Sequence, residues 1–167
     1  MPRRRRRFGE PQRQAEPANR RPRRRGDRRQ EARNFSPDYK TVYIISTGKG
    51  PGDTGPGGTG AVFAFDVQGS KLSGMRRFTG MMVDGVHRGP DRMRADVFCN
   101  LWISSNTVLG YAGVVVFTSQ GKLPGRIRLP EVCANMAFGG PKRNMLFMCA
   151  SQSLYLLQVQ TQGAAPG

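Results

Sequence analysis

Three carboxylates fall within thirteen residues ahead of a strongly apolar segment: Asp84, Asp91 and Asp96. Oxygen donors gathered in a loop suit a hard divalent cation, and a cation so held can polarise a carbonyl and activate a water. Asp and Asn beside Gly and Pro also cap turns, and on the residues alone that reading is favoured. The chain has one histidine, His87, between Val86 and Arg88. A lone loop histidine of this kind is expected to face solvent or serve as a local hydrogen-bond partner. No Gly-x-Ser-x-Gly accompanies it, so a nucleophilic triad has little support. Cys99, Cys133 and Cys149 show neither Cys-x-x-Cys nor Cys/His metal spacing. Their odd number points to buried free thiols in a reducing compartment, hence the cytoplasm, rather than to a disulfide framework. The Gly-rich stretch 47–60 lacks the Gly-x-x-x-x-Gly-Lys-Ser/Thr of a phosphate loop, and no helical pattern follows it.

The elements that must position these residues are strands. Apolar and β-branched runs mark Thr41–Ser46, Ala61–Val67, Met75–Phe78, Met93–Asp96, Leu101–Ser104, Gly113–Thr118, Arg126–Leu129, Asn135–Phe138, Met145–Ala150 and Leu154–Gln160. Gln68-Gly-Ser, Gln120-Gly-Lys and Gly139-Gly-Pro-Lys supply hairpin turns between them. No sustained apolar spacing of three and four occurs, so the class is all-β. Residues 1–34 stand apart. They hold 14 arginines against Glu10, Glu16, Asp27 and Glu31, which is +10 of the chain's +16. With Phe8 as their one aromatic, they cannot offset an ordering cost of roughly 1–2 kcal/mol per residue and are expected to be disordered. Such a segment can hold polyanions by counterion release, so residues 3–33 offer non-specific nucleic-acid binding. The opening arginines resemble a twin-arginine export signal, but Gly9-Glu-Pro-Gln-Arg-Gln stands where an apolar stretch is required. No run of 18 apolar residues is present to span a membrane.

Two patterns recur in residues 35–167. A lead-in and turn followed by an aliphatic and aromatic core occurs in Phe35-Ser-Pro-Asp-Tyr-Lys-Thr-Val-Tyr-Ile-Ile. It returns in Met93-Arg-Ala-Asp-Val-Phe-Cys-Asn-Leu-Trp-Ile and in Met136-Ala-Phe-Gly-Gly-Pro-Lys-Arg-Asn-Met-Leu-Phe-Met. The segment starting at Val62-Phe-Ala-Phe is similar to the one starting at Val115-Val-Phe-Thr. Multi-strand repeats of about 40 to 50 residues are the signature of β-propeller blades. Three repeats predict about three blades, with unburied flanks on the terminal two that favour self-association.

The segments Gly89-Pro-Asp-Arg-Met-Arg-Ala-Asp, Asn100-Leu-Trp-Ile-Ser-Ser, Gly121-Lys-Leu-Pro-Gly-Arg-Ile-Arg-Leu-Pro-Glu-Val, Ala134-Asn-Met-Ala-Phe-Gly-Gly-Pro and Leu146-Phe-Met-Cys-Ala-Ser-Gln-Ser-Leu-Tyr stand in this order. They resemble the gluconolactonase family, which includes senescence marker protein (regucalcin), and the likeness covers residues 35–167. The resemblance implies the C-terminal half of a six-bladed propeller. It also implies a calcium or zinc ion at the top of the central channel and a sugar lactone as substrate. The family's Pro-Asp-Gly turn corresponds to Gly89-Pro-Asp-Arg, which makes Asp91 the candidate metal ligand and catalytic residue. Arg92 replaces the glycine there, a restriction if the turn needs positive φ. Where the family carries Pro-Asn-Gly this chain reads Gln30-Glu-Ala-Arg-Asn, with Glu31 at the asparagine position, and Ser46 stands where an acid is common. The resemblance therefore carries over one ligand, and the expectation is a truncated lactonase-like chain that is inactive alone. The alternatives are activity after pairing with a second copy or a missing half, and polyanion binding through the arginine segment. Homology that begins as the arginine segment ends is expected of a truncated or frameshifted gene.

Overall fold

Each of the three repeats turns on the same backbone device. The carbonyls of Ser36, Asp96 and Gly140 accept hydrogen bonds from the N–H groups of Tyr39 (2.9 Å), Cys99 (3.0 Å) and Arg143 (2.9 Å). Those three donor residues stand at φ 58°, 62° and 52°, left-handed positions that fold one strand back on the next. A computed structural model describes residues 33–47, 59–107 and 110–164 of the chain. Disorder is expected of residues 1–34 and polyanion binding of 3–33. Of these, residues 1–32, Glu31 included, lie outside the described residues, as does most of the Gly-rich stretch. Arg33 and Asn34 are not disordered, because they pair with Ile44 and Tyr43 as the start of a strand.

Three antiparallel meanders follow the three turns. The first is β1 (Arg33–Phe35), β2 (Thr41–Ser46), β3 (Ala61–Gln68) and β4 (Lys71–Thr79), paired in that order. A hairpin of β5 (Met82–Val83) and β6 (Val86–His87) leads to the second. This comprises β7 (Gly89–Ala95), β8 (Leu101–Asn106), β9 (Gly113–Phe117) and β10 (Gly125–Arg128). The third has three strands among the described residues: β11 (Cys133–Gly139), β12 (Met145–Ala150) and β13 (Leu154–Gln158). Strands β1 and β11 both lie against β7, so the first strands of the meanders line one axis and the sheets radiate from it. The result is an all-β arc of three propeller blades, as the repeats predict.

Burial shows how the blades stack. Tyr43, Ile45, Val62 and Ala64 of the first blade pack with Met93, Ala95, Leu101, Ile103, Val115 and Phe117 of the second. The other face of the second blade, through Trp102, Val114 and Val116, meets Met136, Leu146 and Met148 of the third. The Trp102 and Phe138 rings meet edge to face at 5.4 Å across that junction. Behind β13 the chain returns to the foot of β7, where Val97 N–H donates to Gln162 and Ala164 N–H to Ala95, both at 2.9 Å.

Several local expectations need correction. His87 belongs to β6, not to a loop, because its neighbour Val86 pairs with Val83 across a two-residue turn. Gly89-Pro-Asp-Arg is the start of β7, not a turn, and Arg92 keeps a negative φ. Of the three thiols only Cys133 is buried; Cys149 is exposed because no sheet among the described residues packs on its face of β12. Asp96 closes a turn and is not the last residue of a strand. No helix of the described residues is long and apolar enough to cross a membrane.

Candidate functional site

The three carboxylates do not converge. Asp91 and Asp96 stand near opposite ends of β7, five residues of extended chain apart, or roughly 16 Å at about 3.3 Å per residue. Asp96 is fully buried and spent on structure. Its Oδ1 accepts the N–H groups of Phe98 (3.0 Å) and Asn100 (2.9 Å), and its Oδ2 accepts Asn100 Nδ2 (2.9 Å) and Trp102 Nε1 (3.0 Å). Asp84 sits at the tip of the β5–β6 hairpin in a left-handed conformation and forms an ion pair with Arg126 of the neighbouring β10. Turn capping, one of the two roles expected from residue type, thus accounts for Asp96, whereas Asp84 is held by an ion pair.

Asp91 is placed differently. The pairing of β7 with β8 slips between Pro90 and Met93, so Asp91 and Arg92 form a bulge. A bulge re-aims side chains near a sheet edge. Ser104, wholly buried on β8, holds it: its hydroxyl accepts Arg92 N–H at 3.0 Å. Gly89 is required just before the bulge, because a Cβ there would stand 2.7 Å from the Asn106 carbonyl oxygen. The half-buried Asp91 carboxylate accepts one side-chain bond, from Asn106 Nδ2 at 3.0 Å. Asn106 is a neighbour that the sequence did not flag; only the register of β8 against β7, Gly89 opposite Asn106, brings it there.

Two other polar groups lie at this end of the arc. The His87 ring nitrogen Nε2 is 2.9 Å from the Gly60 carbonyl, a local hydrogen bond of the kind expected. Ser46, where an acid was anticipated, accepts the Thr59 N–H at 3.1 Å and closes the base of the intervening loop. Arg88, next to the site in sequence, is 1% exposed; it donates to the Tyr111 carbonyl and lies 4.7 Å from the centre of that ring. Burial, and then the nearby Arg126, lowers its basicity.

A divalent cation of the calcium type takes six or more oxygens. Asp91 with the Asn106 amide supplies at most three, and no group of three His, Cys, Asp or Glu side chains forms a cluster among the described residues. The described residues by themselves do not fit the ion. The other end of the inner strands offers nothing for it. A cavity of about 710 Å³ there is lined by Arg33, Arg94 and Arg143 together with aromatic rings, and by no carboxylate.

Residues 30–152 match the family described as SMP-30/Gluconolactonase/LRE-like region. No curated protein sequence matches. Among solved structures, luciferin-regenerating enzyme superposes with a TM-score of 0.63 at 20% identity, over 79% of this chain and 46% of that one. A gluconolactonase from Xanthomonas campestris gives 0.58 at 29% identity, over 76% and 36%. Regucalcin from Agrobacterium tumefaciens, a calcium-binding protein, gives 0.62 at 17% identity, over 79% and 46%. The chain thus spans less than half the length of each of these proteins.

Proposed function

The chain belongs to the SMP-30/gluconolactonase/LRE-like family, and on that premise we propose that it is one arc of a sugar-lactone hydrolase, contributing Asp91 to a divalent-metal site but inactive by itself. The observation that carries this reading is the bulge at Pro90–Met93. It aims one carboxylate out of the ladder at the start of an inner strand, while Asp84 and Asp96 are committed elsewhere. This chain's own contribution is a positioned oxygen donor, oriented by Asn106 and seated by Ser104.

The test is hydrolysis of glucono-lactone by the full chain, with calcium or zinc added or chelated, for the wild type and Asp91→Asn. Rates near background that neither metal nor the substitution changes support the inactive-arc reading. Metal-dependent turnover abolished in Asp91→Asn would overturn it, because the remaining ligands would then have to come from elsewhere in the assembled protein.

A further inference from the structure

The cavity at the far end of the inner strands from Asp91 is built by the repeat itself. Asn34, Arg94 and Phe138 line it from equivalent places, each two residues before the carbonyl that closes an inner turn, on Ser36, Asp96 and Gly140. Tyr39 and Arg143, the left-handed residues of the first and third turns, line it as well. Two of its cations are fixed in place. Arg94 Nη1 donates to the Met93 carbonyl at 2.8 Å, and Arg143 Nη2 to that of Gly163. Both side chains are half-buried, and burial, then the Arg92 charge, lowers the basicity of Arg94. Among the described residues neither these two nor Arg33 has a carboxylate partner, the ion pairs being those of Arg76 with Asp66 and Arg126 with Asp84. Asp38, the acid of the first turn, accepts the Ser36 hydroxyl and the Lys40 N–H and does not line the cavity. Three guanidiniums gathered around one space without a counter-charge repel one another, and the same field attracts an anion.

We propose that this cavity binds a diphosphate ester carrying an aromatic ring, of the nucleoside diphosphate kind. Guanidinium forks match phosphoryl oxygens two at a time, and three of them suit a pair of linked phosphates better than a single carboxylate. The roughly three negative charges of such an ester near neutral pH balance the three cations. A space of about 710 Å³ holds more than the phosphates and is of the size usual for a small-molecule site. The rings of Phe35 and Tyr39, both exposed and 5.9 Å apart, stand beside the arginines and offer faces for the ligand's own ring. The site needs neither Asp91 nor a metal ion, so it stands or falls apart from the lactonase reading.

Calorimetric titration of the full chain with ADP, pyrophosphate, adenosine and citrate, at near-physiological salt, tests it. The expected result is one ADP per chain, bound about tenfold more tightly than pyrophosphate, with adenosine and citrate weaker still. Arg33→Met and Arg94→Met remove the charge and keep an apolar stem; each should weaken ADP and pyrophosphate at least about tenfold. Tyr39→Asn suits the left-handed backbone and should weaken ADP alone. Lys122→Met removes one charge from an exposed loop outside the cavity and should change nothing. Arg33 is exposed, so its variant decides the matter if far-UV circular dichroism shows Arg94→Met to be unfolded. Absence of ADP binding overturns the proposal. So does an equal loss with Lys122→Met, or no loss with Arg33→Met and Arg94→Met, which would assign the binding to basic charge in general. Citrate binding as tightly as ADP, or ADP no tighter than pyrophosphate, overturns the ligand class.

Discussion

Replacing Asp96 by Asn separates a turn-closing carboxylate from a ligand more cleanly than any other single change in this chain. The side chain is almost the same size, so the effect must come from hydrogen bonding. The amide oxygen can keep two of the four bonds, for instance those from the N–H groups of Phe98 and Asn100. Its NH2 then faces Asn100 Nδ2 and Trp102 Nε1, two donors with nothing to donate to. Asn100 is half-buried and can turn toward water, whereas the indole N–H is closed in beside a fully buried Asp96. An unsatisfied buried donor costs about 1–3 kcal/mol, and bonds to a charged acceptor are worth about 1.5–3 kcal/mol each. Together these give a loss of about 2–4 kcal/mol, or a fall in Tm on the order of 10 °C for a domain of this size. Trp102 is the chain's one tryptophan, so urea unfolding followed by its emission reads the site directly. The loss should be the same with calcium, with zinc and with chelator. A cost under about 0.5 kcal/mol, or one that depends on the metal, would refute the structural role assigned to Asp96.

Two further outcomes follow from the same coordinates. Cys99 holds φ 62° in the second inner turn, where a side chain costs about 1–2 kcal/mol and Asn is tolerated; Cys99→Asn should therefore stabilise the full chain by roughly 0.5–1 kcal/mol in urea titration, and destabilisation would show the thiol to be packed. Burial pushes the Cys133 thiol up to about 11, so the unfolded chain releases this proton first as pH rises. Stability from this group should fall between about pH 9 and 11 by roughly 2–3 kcal/mol, a loss that Cys133→Ser should remove.

The fold was legible in the sequence because its signals are local and repeated. A turn and an aromatic in the following strand recur three times, and each instance became an inner hairpin. The β5–β6 hairpin escaped because its strands are two residues long, Met82–Val83 and Val86–His87, too short for any alternation to show. Residue type points to buried thiols, which holds for Cys133 but not for Cys149, since no sheet among the described residues lies on its face. At the candidate site, residue type could nominate Asp84, Asp91 and Asp96 but not sort them. The sorting came from register: a slip in the β7–β8 ladder frees Asp91, and a turn absorbs Asp96. Asn106 gave no signal at all, since strand pairing across fifteen residues brings it to the carboxylate.

Among the described residues the middle blade has an apolar cluster packed on each of its two faces. In a stack of modules, each draws part of its stability from its neighbours, so the three blades are not equal even though their repeats are. Strands β8 and β9, almost wholly buried, form the last unit to open, while the first and third blades can loosen separately on either side of it. Opening of the described blades therefore begins away from the middle one. A closed ring has no ends, and once every blade has two neighbours the hierarchy of opening disappears and the whole circle must yield together.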